Sequence, residues 1–139
     1  MSHFVPIKTT MKDVDSLVDA LVSMGFKREN IEVHKTATTI RDYHKDTKKA
    51  NVAIRKEYTG IPSDIGFEKE ADGAFTSHLD DYNYSGDVPR YDDAWSTKLQ
   101  VHYNVEASKK SFKQNGWEYT ETKDKDNNLV LLAREKVTW

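Results

Sequence analysis

The chain has 139 residues, a length that suits one domain. Hydrophobic residues make up 37% of it and aromatic residues 11%, which is enough for a modest core and too much for a disordered chain. Its 23 acidic and 21 basic residues leave a net charge of −2, so charge alone draws it to neither nucleic acid nor a membrane. We therefore expect one folded domain over residues 1–139.

Features that the sequence lacks exclude several kinds of site and favour one location in the cell. The chain has no cysteine, which excludes disulfides, thiolate catalysis and cysteine–zinc sites. No apolar run approaches the roughly 18 residues of a membrane span. The opening residues Met1–Pro6 lack the basic-then-apolar order of a signal peptide. These features favour a cytoplasmic protein without a membrane partner.

A first helix is predicted between residues 11 and 24. One face of it carries the apolar residues Val14, Leu17, Val18, Leu21, Val22 and Met24 at helical spacing. Thr10 is the predicted N-cap, with Asp13 as the acid of a capping box. Gly25 supplies a left-handed residue at the end, and Phe26 is expected to fold back onto the last turn.

Strands are predicted before and after this helix. The first contains Pro6, which cannot donate to a strand ladder and therefore favours a sheet edge. Asp72-Gly73 is a hairpin signal between the last two strands of the first half. The predicted strands cover residues 4–9, 31–43, the segment around Val52 and Ile54, 65–70 and 74–79.

A second helix is predicted from Asp92 or Asp93 to Asn115, with Asn104 as a kink or a fresh cap. A strand then starts at Trp117, and the apolar run Leu129–Ala133 predicts a buried strand.

The predicted fold class is α+β, with two helices packed on one face of a mostly antiparallel sheet. Residues 11–58 and 92–136 share the order helix, glycine, aromatic residue, strand, turn, strand. Either the chain contains a distant internal repeat, or this common arrangement recurs by chance.

Several short segments, spread over nearly the whole chain, resemble an uncharacterised family. They are Met1–Phe4, Ile7–Thr9, Met24–Phe26, Ile65–Phe67, Asp72-Gly73 and the spacing from Tyr103 to Gly116-Trp117. The family is the conserved chloroplast reading-frame family number thirty-five, which also occurs in cyanobacteria. The resemblance implies a small cytoplasmic or stromal protein of a photosynthetic cell, or a viral copy of one. It implies no activity and no catalytic residue, and it leaves out residues 80–93.

The segment 81–92 contains the oxygen-bearing side chains that an EF-hand calcium loop places at its first, third, fifth and twelfth positions. Gly86 falls at the sixth position, where such a loop turns sharply. Pro89 at the ninth position, a short final Asp and a preceding strand argue against this interpretation. The alternative is a solvated acidic loop that caps the second helix. The candidate calcium ligands are Asp81, Asn83, Ser85, Asp87 and Asp92, and no other cofactor is expected.

The same segment is rich in tyrosine, whose rigid amphipathic ring is favoured in protein contacts. The candidate partner-binding residues are Tyr82, Tyr84, Tyr91 and the terminal Trp139. Their rings serve equally well to fold the loop onto the domain or, for Trp139, to cap the core.

Other chemical patterns are weaker. His34 and His78 lie in predicted strands and would have to meet across a sheet to share a metal. His78 also neighbours the aspartates of the acidic loop, a minimal acid–base set without a nucleophile. Lys109, Lys110 and Lys113 share a helix sector that would suit RNA. The sequence therefore predicts a non-enzymatic module that binds or regulates another protein, with calcium binding and RNA binding as alternatives.

Overall fold

The computed structural model describes residues 3–135 and confirms the α+β fold class. Within that range, a five-stranded sheet, a two-stranded sheet and three α-helices are present. In chain order the elements are β1 (Phe4–Lys8), α1 (Val14–Ser23), β2 (Glu32–Arg41), β3 (Thr47–Ile54), α2 (Lys56–Thr59), β4 (Ile65–Lys69), β5 (Phe75–Asp80), α3 (Asp93–Gln114), β6 (Trp117–Lys123) and β7 (Leu129–Glu135). A short 3₁₀ helix, Arg28–Asn30, connects α1 to β2.

The larger sheet has the strand order β1-β5-β4-β3-β2, and all of its neighbouring strands are antiparallel. β1 lies at an edge of the sheet, as Pro6 predicted. Proline has no backbone N–H to donate, and at an edge this missing donor does not weaken a central strand. The hairpin predicted at Asp72-Gly73 joins β4 to β5, and Gly73 has a φ of +88°, which favours glycine.

Helices α1 and α3 pack on each other and on one face of this sheet, as predicted. Strand residues that share a face, such as Val52, Phe67 and Leu79, form one apolar cluster with Leu17 and Leu21 of α1. Leu99 and Tyr103 of α3 complete the cluster. The main core therefore lies between the two helices and the sheet.

The face of the larger sheet that points away from the helices is covered by the sheet itself, because the sheet curls. The register of β2 against β3 shifts between Val33 and Thr38, which marks a bulge. Beyond the bulge, Ile40 is fully buried and joins Phe4, Ala50 and Ala53 in a second cluster. Arg55 spans the bend, since its guanidinium donates to the Glu32 carboxylate at 2.8 Å and to the Thr39 carbonyl at 2.7 Å. The two outermost strands, β1 and β2, thus approach each other.

The start of α1 differs from the prediction. Its N-cap is Asp13 and not Thr10, because the Asp13 carboxylate accepts the Ser16 backbone N–H at 3.1 Å. Lys110 Nζ of α3 lies 2.8 Å from the same carboxylate. The Tyr103 hydroxyl accepts the backbone N–H groups of Lys12 and Asp13 at 3.1 and 3.0 Å. Polar contacts therefore join α3 to the first turn of α1.

Helix α3 begins at Asp93 with Asp92 as its N-cap, as predicted, and runs unbroken to Gln114. Asn104, predicted as a kink or a fresh cap, does not interrupt the helix, and its side chain accepts from Gln100 one turn earlier at 2.8 Å. The burial predicted for Leu129–Ala133 was wrong, since β7 pairs only with β6 in the described part of the chain and leaves Leu132 60% exposed. The repeated order of elements is therefore present, but its second hairpin forms a separate sheet.

No helix in the stretch from residue 3 to residue 135 combines the length and apolarity that crossing a bilayer requires.

Candidate functional site

Four aromatic side chains from two distant segments meet at one end of the larger sheet. Tyr43 and His44 come from the turn between β2 and β3, and Tyr82 and Tyr84 come from the loop after β5. The Tyr82 and Tyr84 rings lie 4.8 Å apart, Tyr43 and Tyr84 6.3 Å, and Tyr43 and His44 5.1 Å. Tyr43 is 54% exposed and Tyr82 46% exposed. We call these four residues the tyrosine surface.

Asp42 holds the first half of the tyrosine surface in place. Its carboxylate is buried and accepts the Asp46 backbone N–H at 3.0 Å, which closes the turn that carries Tyr43 and His44. The other carboxylate oxygen accepts the Phe4 backbone N–H of β1 at 3.2 Å. One buried side chain therefore shapes the turn and ties it to the far edge of the sheet.

Asp80 does the same for the second half. It is the last residue of β5, it is fully buried, and it lies opposite Phe4 in the β1–β5 ladder. One carboxylate oxygen accepts the Tyr82 backbone N–H at 3.1 Å, and the other accepts the Tyr84 hydroxyl at 2.5 Å. Asp42 accepts the Phe4 backbone N–H, and Asp80 lies opposite Phe4 in the ladder. Both aspartates are therefore next to Phe4, and the curl of the sheet brings the two halves of the tyrosine surface together.

The partner-binding residues predicted from the sequence have different outcomes. Tyr82 and Tyr84 belong to the tyrosine surface. Tyr91 is only 2% exposed, and its hydroxyl donates to the Thr59 carbonyl at 2.5 Å, so its ring belongs to the core. Burial raises its pKa to about 12. Trp139 lies outside the described residues.

The candidate calcium ligands are spread along the loop. Asp92 caps α3 by accepting the Trp95 backbone N–H at 3.0 Å. Asp81 is exposed, and its backbone carbonyl accepts Arg90 Nε at 3.0 Å, which closes the base of the loop. Asn83, Ser85 and Asp87 are exposed as well.

Gly86 has a φ of +97°, so the sharp turn expected at this glycine is present. Between residues 3 and 135, however, no three His, Asp or Glu side chains lie close enough together to hold a metal ion. The geometry therefore gives calcium no specific support.

His34 and His78, which would have to meet across the sheet to share a metal, bond to different partners. His34 bonds to Glu32 on its own strand at 2.8 Å, whereas His78 bonds to Glu68 of β4 at 2.9 Å. His78 is 4% exposed and lies on the curled, inner face of the sheet beside Phe4. A substrate on the surface cannot reach its ring, so the acid–base set suggested by the sequence does not form around it.

Two of the three lysines in the predicted α3 sector are paired with acids, whereas Lys113 is exposed. Lys109 forms ion pairs with Glu106 and Glu121, and Lys110 forms one with Asp13. Burial alone would lower the pKa of Lys109, but the bond to Glu121 and the charge of Glu106 raise it. Paired lysines offer little free charge to a phosphate backbone.

Comparison with known families gives one match, to proteins of unknown function called DUF1257, over residues 22–132. The chain belongs to this family. The searches of curated proteins and of solved structures each give no match. The matched residues contain all four members of the tyrosine surface, together with both of their anchoring aspartates, Asp42 and Asp80.

Sequence reasoning missed Tyr43 and His44 as site residues of this DUF1257 protein. They are 38 residues or more from Tyr82 in the chain, and only the curl of the sheet joins the two segments. One signal was available in the sequence. Tyr43 and His44 are adjacent aromatic residues in a polar turn, where packing of the core does not require aromatic rings.

Proposed function

We propose that this chain is a non-enzymatic protein-binding module, and that the tyrosine surface is where its partner docks. The observation that carries the proposal is the meeting of Tyr43, His44, Tyr82 and Tyr84 on two buried aspartate anchors. Exposed aromatic rings that are already fixed lose little conformational entropy on binding, which is why such residues dominate many interfaces.

The acidic side chains on the loop of Tyr82 and Tyr84 favour a basic partner segment at this part of the surface. Asp81 and Asp87 are exposed on the same loop as Tyr82 and Tyr84. An arginine or lysine of a partner would make two favourable interactions here, because its cation is attracted to the carboxylates and stacks on the tyrosine faces. The partner we expect is therefore a protein segment rich in arginine or lysine.

The resemblance to the chloroplast and cyanobacterial reading-frame family supports a finer statement of where this happens. We place the module in the cytoplasm of a photosynthetic cell, in the plastid stroma, or in the host cytoplasm if the gene is viral. The match to DUF1257 supports the coarser family and is compatible with this setting.

Photo-cross-linking tests the surface directly. A chain with benzoylphenylalanine in place of Tyr82 is illuminated in a cyanobacterial lysate, and the proteins that form discrete adducts with it are identified. The affinity of the chain for each purified partner is then measured. We expect Tyr43→Ala to weaken binding at least tenfold, as loss of an interface anchor does. Tyr58→Ala is the matched control, since Tyr58 is 52% exposed and lies outside the tyrosine surface. Equal loss in both variants, or adducts unaffected by Tyr43→Ala, contradicts the proposal.

The two alternatives have separate readouts. If the chain is a protein-binding module, added calcium leaves the thermal midpoint unchanged, whereas a saturable rise of several degrees indicates a calcium loop. RNA binding would appear as retention on a nucleic-acid column that falls steeply with salt.

A further inference from the structure

Within residues 3–135, the free edge of β7 lacks the features that protect the two edges of the larger sheet. Strand edges that face solvent are usually blunted by a proline, a bulge or charged side chains. β1 carries Pro6, and β2 has a bulge and the exposed Lys35. β7 begins with the uncharged run Leu129–Ala133 and has neither a proline nor a register shift against β6.

In the described part of the chain, the hairpin of β6 and β7 is covered on one face, which packs on α3. Trp117 and Tyr119 approach Phe112 of α3, with ring centroids 6.2 and 6.1 Å apart. The opposite face contains Leu132, which is 60% exposed and lies opposite Thr120 in the ladder. An isolated two-stranded sheet is only marginally stable in water, so this hairpin gains stability from any strand added to it.

We infer that β7 pairs with β7 of a second copy of this chain, antiparallel and centred on Leu132, to make a four-stranded sheet across a two-fold axis. In this register the two Leu132 side chains are neighbours on the exposed face, and Leu131 lies opposite Ala133. Such a two-fold contact requires the strand to be complementary to itself.

The charges on β7 satisfy this requirement. The two charged residues of β7, Arg134 and Glu135, are both at its C-terminal end. Antiparallel pairing about Leu132 separates the two Arg134 positions by four residues, or about 13 Å along the strands. It also brings both Arg134 and Glu135 towards the β6–β7 turn of the other copy, whose residues Lys123, Asp124, Lys125 and Asp126 carry charges of both signs. The antiparallel pairing thus keeps like charges of β7 apart on either side of an apolar centre, whereas a parallel in-register pairing would place Arg134 beside Arg134 and Glu135 beside Glu135.

The absence of cysteine allows a direct test of the register. Residues opposite each other in an antiparallel pair have Cα atoms about 4.5–5.5 Å apart, within disulfide range. We expect the wild-type chain to be a dimer by light scattering, and Leu132→Cys to cross-link rapidly under mild oxidation. Thr120→Cys is the matched control, because its two copies would lie three strand spacings apart, about 14 Å.

Charge exchange supplies a second test that does not depend on oxidation. Leu132→Lys and Leu132→Glu should each be monomeric, since like charges directly opposite each other are destabilising. An equal mixture of the two should dimerise again. Both variants should fold, because residue 132 is exposed in the single chain, and Val33→Lys, at a position 47% exposed on β2, should stay dimeric.

Three results would overturn the inference. The first is a wild-type chain that remains monomeric up to about 0.5 mM, which leaves only association of millimolar strength. The second is a dimer in which Thr120→Cys cross-links as fast as Leu132→Cys. The third is a mixture of the lysine and glutamate variants that stays monomeric.

Discussion

Tyr91 shows how one buried hydroxyl connects the loop after β5 to the core. Its hydroxyl donates to the Thr59 carbonyl at 2.5 Å, next to the left-handed Gly60 that ends α2. Its ring also meets Trp95 of α3 edge to face, with centroids 4.9 Å apart. The residue therefore fixes the end of the acidic loop on two neighbouring elements.

We expect the stability of the protein to fall at alkaline pH because of Tyr91. Burial raises the pKa of its phenol from 10.0 to about 12, so the unfolded chain releases this proton at a lower pH than the folded chain does. The free energy of unfolding therefore decreases as the pH rises from 10 towards 12. Urea melts at several pH values should show a shallower decrease for Tyr91→Phe, which also loses about 1 kcal/mol at neutral pH with its hydrogen bond. Tyr58→Phe, at an exposed position, should keep the wild-type slope.

Gly66 lies where strands of the curled sheet approach each other closely. A Cβ atom at this position would lie 2.6 Å from the Ala50 Cβ and 2.8 Å from the Ile40 Cδ1. The Ile40 side chain can rotate, but the Ala50 Cβ is attached directly to the backbone of β3. The absence of a side chain at residue 66 is therefore what allows β2 to fold over β4.

Gly66→Ala should consequently destabilise the protein by about 1–3 kcal/mol, the usual cost of overpacking a core. Adding Ala50→Gly removes the tighter of the two contacts, and denaturant melts of the double variant should show a smaller loss than the sum of the single losses. Simple additivity of the two substitutions would mean that the contact is not the cause.

At the scale of elements, α1 depends on α3 for its first turn. The Asp13 carboxylate caps α1 and pairs with Lys110, and the Tyr103 hydroxyl accepts two backbone N–H groups beside it. Burial alone would raise the pKa of Asp13, but bonds from Lys110 and Ser16 outweigh it and hold the pKa below the ordinary 3.8. The cap thus favours the charged carboxylate.

Asp13→Ala should cost about 1–2 kcal/mol, and Asp13→Asn less than about 1 kcal/mol, because asparagine keeps the cap and loses only an exposed ion pair. The contribution of the wild-type carboxylate is complete above the unfolded pKa and disappears as the pH falls through the lower folded pKa. Urea melts between pH 2 and 5 should show this loss in the wild type, while Asp13→Asn, which carries no proton to titrate there, should show less of it. Equal pH profiles for the two chains would rule out the cap as the source.

The sequence predicted those elements whose signals are local. The spacing of Leu17, Val18 and Leu21 defines α1, and Asp92 before a long periodic segment defines the start of α3. The prediction that β7 is buried was wrong, because an apolar run indicates burial but does not show which surface the strand packs against. Sequence reasoning also missed Tyr43 as a site residue, since the bulge that curls β2 depends on contacts between residues far apart in the chain.

At the scale of the whole molecule, burial is uneven. All buried residues of the described chain lie before Asn104, whereas β6 and β7 contain half-buried and exposed residues only. Regions with few buried contacts open at a lower free energy than the rest of a protein. In monomeric Leu132→Lys we therefore expect amide hydrogens of β6 and β7 to exchange faster than those of β4 and β5, as measured by mass spectrometry. Uniform protection across both sheets would show that the hairpin unfolds only with the core.

The pairing of β1 with β5 has a consequence for how the protein is made. β1 leaves the ribosome well before its neighbour β5, which ends at Asp80, and the core is complete only when Tyr103 follows. At about 5–20 residues per second, translation takes roughly 5–20 s to travel from Phe4 to Tyr103. Until β5 has been made, which takes most of that interval, the nascent chain displays an apolar strand without its native partner, so we expect newly synthesised copies to bind a chaperone that shields such segments.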